Sequence, residues 1–176
     1  NFSKFDYGKL SGKFSKIVVV SEYIKNQAIS IPKLSSENYS VLLNSTDLYS
    51  FNKLNYEERL NLRIKYNIHE DDIVVLFTGR LDPRKGVKEL ILAFNQIRNK
   101  CNIKLLIIGS PEYGKTVQNQ YFKELIQISR EYSDKIIFTG YINHDKLPSF
   151  YNIADIAVVP SILPEAAGLV VLEAMA

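Results

Sequence analysis

At 176 residues and 20.1 kDa the chain has the length of about one domain, and 46% hydrophobic with 23% charged residues exclude a disordered protein. One cysteine, Cys101, excludes an internal disulfide framework and fits a reducing compartment, as in the cytoplasm, though a secreted chain with no bridges reads the same, and no apolar run approaches the ~20 residues that span a bilayer. The net charge of +3 sits in the opening segment, where seven Lys face four acids through residue 53; such a segment either meets an anionic membrane face or is a solvated surface, and no clustered Arg and aromatics mark a nucleic-acid footprint.

In chain order, KIVVVS (16–21) is predicted as a buried strand, SEYIKNQAIS (21–30) as a short helix and YSVLLNS (39–45) as another strand. STDLYSFNKLN (45–55) is polar, aromatic and without period, so it reads as a connection, and YEERLNLRIKYNI (56–68) as a helix leading into a sheet. The runs IVVLF (73–77), IKLLIIG (103–109), KIIFTG (135–140) and DIAVVPS (155–161) are β-branched and continuous, the pattern of strands covered on both faces. Between them, Leu90, Ile91, Phe94 and Ile97 recur at helical spacing in 87–100, as do Phe122, Leu125, Ile126 and Ser129 in 121–132. LPSFYNIA (147–154) places Pro148 where a first helical turn tolerates it. The alternation predicts an α/β fold, a doubly wound parallel sheet with right-handed crossovers. Residues 1–48 read as the tail of an upstream domain with its connection, and 49–176 as a second domain. The start at Asn1 and the stop inside the apolar pattern of LEAMA give the expectation of a piece cut at both ends.

Ligands of such a sheet bind outside the carboxyl ends of its strands, at helix N-termini. In TGRLDPRKG (78–86), Gly79 lets the backbone turn while Arg80, Arg84 and Lys85 bring cations to the sheet mouth. The same loop also reads as an ordinary connection with solvated cations, of which Asp82 neutralises one. In SILPEAAGLVVLEAMA (161–176), Glu165 lies in a loop and a helix begins near Gly168 or Leu169, so the amides of Gly168, Leu169 and Val170 form an anion site. Glu173, about a turn into that helix, is placed to accept hydrogen bonds from ribose hydroxyls. The blander reading is a helix-dipole carboxylate at 165 and a solvated one at 173.

GSPEYGKT (109–116) matches the phosphate-binding pattern G-x-x-x-x-G-K-[ST] between a strand and a helix. Taken alone it makes a nucleotide hydrolase or kinase using Lys115 and Thr116. Glu112 in the loop, its place after the second strand, and the lack of a strand ending in a metal-binding Asp count against that reading. His69 and His144 are too isolated for a metal site and read as surface residues.

Together, GRLDPRKG, FTGYINHDKLPSFYNIADIAVVPS (138–161) and PEAAGLVVLEAMA, with its E-x7-E spacing from Glu165 to Glu173, resemble the nucleotide-sugar domain of retaining glycosyltransferases of the GT-B fold, in glycosyltransferase family 4. The similarity runs from about Ser21 to the end. It implies a Rossmann-like C-terminal half in which Arg80 and Lys85 bind the donor diphosphate, Glu165 the transferred sugar, and Glu173 the ribose. The amides of Gly168, Leu169 and Val170 would hold phosphate, and backbone around Tyr141 and Ile142 would meet the base. It further implies a UDP-sugar donor, a glycan or lipid-linked acceptor, and transfer with retention and without a metal or other cofactor. The leaving phosphate would assist deprotonation of the acceptor. Ala167 stands where relatives often carry an aromatic, and Asn44-Ser45 where they often carry Asn-Gly. The piece alone is expected to transfer nothing, and a non-catalytic nucleotide-binding module is the remaining alternative.

Overall fold

A computed structural model describes residues 14–30, 36–51, 53–97, 99, 101–166 and 168–176. Lys4, Lys9, Lys13 and Lys33 of the basic opening, and Ala167, lie outside the described residues. The chain divides into two units, Asn1–Ser45 with Glu165–Leu169, and Thr46–Pro164 with Val170–Ala176.

In the first unit β1 (Ile17–Val19) and β2 (Tyr39–Val41) pair in parallel, with Ile17 opposite Tyr39. Between them in sequence runs α1 (Glu22–Ile29), whose first turn is capped by the Ser21 hydroxyl accepting from the Ile24 N–H at 3.2 Å. Val19, Ala28 and Tyr39 form the core, with Ile17, Ile24 and Ile29 against it. The first strand was expected to be buried and the second to run to residue 45, yet Val18 is 60% exposed, and β2 stops at Val41 with Leu42 and Leu43 exposed. A helix covers only one face of a two-stranded ribbon, so the alternate side chain turns outward.

The second unit contains α2 (Tyr56–Lys65), β3 (Ile73–Thr78), α3 (Val87–Ile97), β4 (Ile103–Ile108), α4 (Gln120–Ser129), β5 (Ile136–Gly140), α5 (Leu147–Ile153), β6 (Ile156–Ala157) and, from its second residue on, α6 (Leu169–Met175). Local chemistry sets the helix starts. Asn55 and Glu58 exchange side-chain-to-backbone bonds of 2.8 and 3.0 Å in a capping box, and Asn119 caps α4 by accepting from the Phe122 N–H at 2.8 Å. No helix among the described residues is long and apolar enough to cross a membrane.

The sheet is parallel throughout, in the order β5-β4-β3-β6. Successive side chains of a strand face opposite ways. Val75, Phe77, Leu105 and Ile107 therefore pack with Ile91 and Phe94 of α3 and Leu125 of α4. Val74, Leu76, Leu106 and Ile108 pack with Phe150 and Ile153 of α5. Both faces are covered, which is why the strands read as unbroken apolar runs. This is the doubly wound α/β arrangement anticipated from the sequence.

The last strand departs from expectation. DIAVVPS was read as buried on both faces, but β6 has only two ladder residues and Ile156 is 50% exposed. Among the described residues it pairs with β3 alone, so its side chains are covered less than those of the central strands. The connection after residue 45 also holds a surprise. Phe51 is 7% exposed, its ring 5.7 Å from that of Tyr151 on α5.

Candidate functional site

The strand order carries a positional argument. β3, β4 and β5 extend the sheet one way, and β6 then returns to the free side of β3. In open α/β sheets the crevice for a ligand opens at such a reversal, outside the carboxyl ends of the strands. Here those ends are Thr78-Gly79 after β3, Gly109-Ser110 after β4 and Gly140-Tyr141 after β5.

The backbones of all three strand ends are joined in turn. The Gly79 N–H donates to Ile108 O at 3.0 Å, and the Gly109 N–H to Gly140 O at 2.9 Å. Gly109 has φ 143°, and a Cβ placed there would overlap the carbonyl oxygen of Gly79. Only glycine allows this approach.

From Gly79 the chain enters the cationic loop. Pro83–Lys85 form a 3₁₀ turn, capped by Asp82, whose Oδ1 accepts from the Arg84 N–H at 3.0 Å. The Arg84 guanidinium also grips Asp82 with both prongs, Nε to Oδ1 at 2.9 Å and Nη2 to Oδ2 at 2.8 Å, while Arg80 approaches Oδ2 at 3.5 Å. Asp82 thus spends most of its charge on Arg84. Arg80 is 53% exposed and Lys85 half-buried in this loop after β3.

The Arg84 hydrogen bond is the largest influence holding the Asp82 carboxyl well below the usual carboxylate range. A folded value below the unfolded ~3.9 stabilises the loop above that pH, and the contribution disappears as pH falls through the folded value. The melting-temperature gap between wild type and Asp82→Asn is therefore expected to stay constant from pH 8 to 5. It should narrow only below about pH 4, as thermal scans across pH would read.

Glu173 is the buried acid of the unit, 7% exposed on α6. Its Oε2 accepts from the Tyr151 hydroxyl at 2.9 Å and its Oε1 pairs with His144 Nε2 at 3.1 Å. The Tyr151 oxygen in turn lies 2.7 Å from Thr78 Oγ1, at the end of β3. Burial, first of all, pushes the Tyr151 phenol far above its ordinary range, so it keeps its proton. The sequence reading of Glu173 as either a ligand group or a solvated acid is narrowed: the residue is not solvated. His144 is on the surface as read from the sequence, 66% exposed, but it is not isolated, because its ring meets that acid. Tyr151 and Thr78 were not singled out from sequence. A hydroxyl on an apolar helix face and one ending an apolar strand give no pattern to find.

Of the expected site residues, Gly79, Arg80, Lys85, Tyr141, Ile142, Val170 and Glu173 fall in the second unit, and Glu165, Gly168 and Leu169 in the first. Tyr141 donates its N–H to Thr116 Oγ1 at 3.2 Å, and Ile142 packs against the core on the α5 face. His69 sits with Asp71, 3.5 Å away, on the surface. A cavity of about 630 Å³ lined by Ile64, His69, Glu70, Asn102 and Lys104 lies at the opposite, N-terminal edge of the strands, away from these residues.

The G-x-x-x-x-G-K-T match does not build a phosphate loop. In such a loop the helix follows directly, with the Thr hydroxyl facing magnesium. Here α4 begins only at Gln120, and the Thr116 hydroxyl is engaged by the Tyr141 N–H. The Tyr113 ring lies edge-on to Tyr141, centroids 5.4 Å apart, so the loop leans on the turn after β5.

Comparison with known proteins agrees with this fold. The family model described as "Glycosyl transferases group 1" matches residues 58–176. The chain is 35% identical over 164 residues to a lipopolysaccharide 1,2-N-acetylglucosaminetransferase of Salmonella typhimurium, covering 92% of this chain and 42% of that protein. It is 33% identical over 162 residues to an uncharacterized glycosyltransferase of Methanocaldococcus jannaschii, MJ1607, covering 92% and 40%. Among solved structures it resembles Anabaena Alr3699/HepE in complex with UDP and glucose, with a TM-score of 0.80 and 25% identity over 92% of this chain and 42% of that one. The chain thus spans about two fifths of the length of these relatives.

Proposed function

Because the chain belongs to the glycosyl transferases group 1 family, we propose that it carries the donor half of an enzyme moving a sugar from a UDP-sugar to a glycan or lipid-linked acceptor, with retention and without a metal. The observation that carries this reading is the pairing, within one unit, of cations at the end of β3 with a buried acceptor, Glu173, tied to the last residue of that strand. A nucleoside diphosphate needs both: positive charge for its phosphates and a fixed acceptor for its ribose. The Anabaena relative crystallised with UDP and glucose supports the choice of donor.

In this reading Arg80 and Lys85 take the diphosphate, with the amides of Gly168, Leu169 and Val170. Glu165 receives the transferred sugar, Glu173 the ribose, and backbone of Tyr141 and Ile142 the base. As the glycosyl–phosphate bond breaks, its electron pair leaves with the diphosphate, whose charge grows while the sugar becomes oxocarbenium-like. Fixed cations and amides stabilise that growing charge with little reorganisation. The acceptor oxygen bonds to the sugar on the face the phosphate leaves, and its proton passes to the departing phosphate. Residues 1–48 would belong to the acceptor-binding half and 49–176 to the donor half. The working place would be cytoplasmic, at the inner face of the membrane, with the basic opening segment against anionic lipid.

The test is calorimetric titration of the intact protein with UDP, GDP and ADP, with and without magnesium. UDP should bind best, indifferent to magnesium. Lys85→Ala and Glu173→Ala should each weaken it about 10- to 100-fold, the worth of one charge-assisted hydrogen bond, and Lys115→Ala should leave it unchanged. Damage by Lys115→Ala, with binding that requires magnesium, would overturn the proposal.

A further inference from the structure

The hydrogen-bond chain behind Glu173 has a direction. A carboxylate only accepts, so the Tyr151 hydroxyl donates its one proton to Oε2. The tyrosine oxygen is then left as an acceptor, and Thr78 must donate to it across 2.7 Å. His144 serves the other carboxylate oxygen from Nε2, 3.1 Å away, which requires the proton on that nitrogen. Each oxygen of Glu173 is therefore held by one protein donor, and each retains a second acceptor position. Two oxygens fixed in this way suit the two adjacent hydroxyls of a vicinal diol.

The two holders differ in rigidity. Tyr151 is half-buried, its ring against Phe51 and its hydroxyl tied to the end of β3. His144 is 66% exposed on a one-turn segment, where water can replace it. Without the tyrosine proton, Glu173 would lose one anchor of its plane, with Thr78 no longer linked to it.

From this arrangement we infer that Tyr151 is a positioning residue for donor recognition, with His144 in a lesser supporting role, by orienting the Glu173 carboxylate toward the 2′- and 3′-hydroxyls of the nucleotide ribose. The inference rests on the donor-site reading above. It also joins the ribose grip to the phosphate-facing loop, since the chain of bonds ends at Thr78, next to Gly79 and Arg80.

The experiment titrates the intact protein with UDP and with 2′,3′-dideoxy-UDP, which lacks the diol. Tyr151→Phe keeps the ring and its packing but removes the proton. It is expected to weaken UDP about tenfold while leaving the dideoxy compound unchanged. His144→Ala, a surface change that spares the fold, is expected to weaken UDP about threefold with the same selectivity. Equal loss for both ligands in Tyr151→Phe would mark a structural role and overturn the inference, as would unchanged affinity for both in the two variants. Glu173→Gln separates the two levels. If it leaves UDP affinity intact, the ribose reading itself fails. If it weakens UDP selectively while Tyr151→Phe and His144→Ala behave as wild type, only the positioning inference fails.

Discussion

Replacing Arg63 by alanine is expected to destabilise the intact protein by about 3 kcal/mol, read as a lowered urea midpoint, with the proposed donor-binding residues untouched. Arg63 is an arginine with 2% exposure, on α2. Its guanidinium donates to the Glu70 carbonyl at 2.7 Å, the Asp72 carbonyl at 2.9 Å and Asp155 Oδ2 at 3.1 Å. Asp155 also accepts from the Val74 N–H at 2.7 Å, so this one carboxylate ties the start of β6 to the start of β3. Truncation leaves two carbonyls without their donor, removes the Asp155 partner and opens a void. Asp155 is 38% exposed and keeps the Val74 bond, which places the cost at the low end for a broken buried pair. Arg59→Ala is the control. It reaches Asp155 at 3.5 Å and donates from Nε to the Asn152 carbonyl at 3.1 Å from a third-exposed position, and should cost about 1 kcal/mol, well below Arg63→Ala. In a double-mutant cycle, Arg63→Ala and Asp155→Ala should be less than additive, because each removes the same bond.

Gly109→Ala is expected to damage both fold and donor binding. Its φ of 143° is strained for any L residue, and the added methyl would overlap the Gly79 carbonyl. Backbone cannot swing aside as a side chain can, so the ends of β3 and β4 must part. Strain and overpacking together predict about 3 kcal/mol or more of lost stability. Moving Gly79 also moves Arg80 and Thr78, so UDP affinity should fall at temperatures where the variant is still folded. Gly114→Ala is the comparison. Gly114 also has positive φ, 75°, but nothing lies within 4 Å of an added Cβ, so its cost should stay near the backbone term of about 1 kcal/mol with binding unchanged. Equal thermal shifts and equal UDP affinity in the two variants would refute the role of the Gly79–Gly109 contact.

How far the site could be read in advance depended on the kind of signal each residue leaves. The cationic loop was legible because three charges follow a strand and a glycine in unbroken sequence. The pseudo-phosphate loop shows the opposite case. Its letters fit, but the Thr116 hydroxyl is taken by a backbone amide 25 residues away, which no local pattern records. His144 and Glu173, 29 residues apart, were read separately as a surface imidazole and a ribose acceptor, and their contact changes the meaning of both.

The amino-acid order alone determined the central strands β3, β4 and β5 of the second unit, the helices between them and the parallel sheet they form. Those features rest on apolar periodicity and on caps such as Asn55 with Glu58, interactions that span a few residues and repeat along the chain. Only the tertiary structure decided which polar groups share a partner: Arg63 with Asp155, Gly109 against Gly79, and Thr78 through Tyr151 to Glu173. Each of those pairings is single and directional, and depends on where the strand ends and helices come to rest. Apolar burial repeats and can be counted in sequence, whereas a lone hydrogen bond between distant residues exists only once the backbone has brought its two ends within 3 Å.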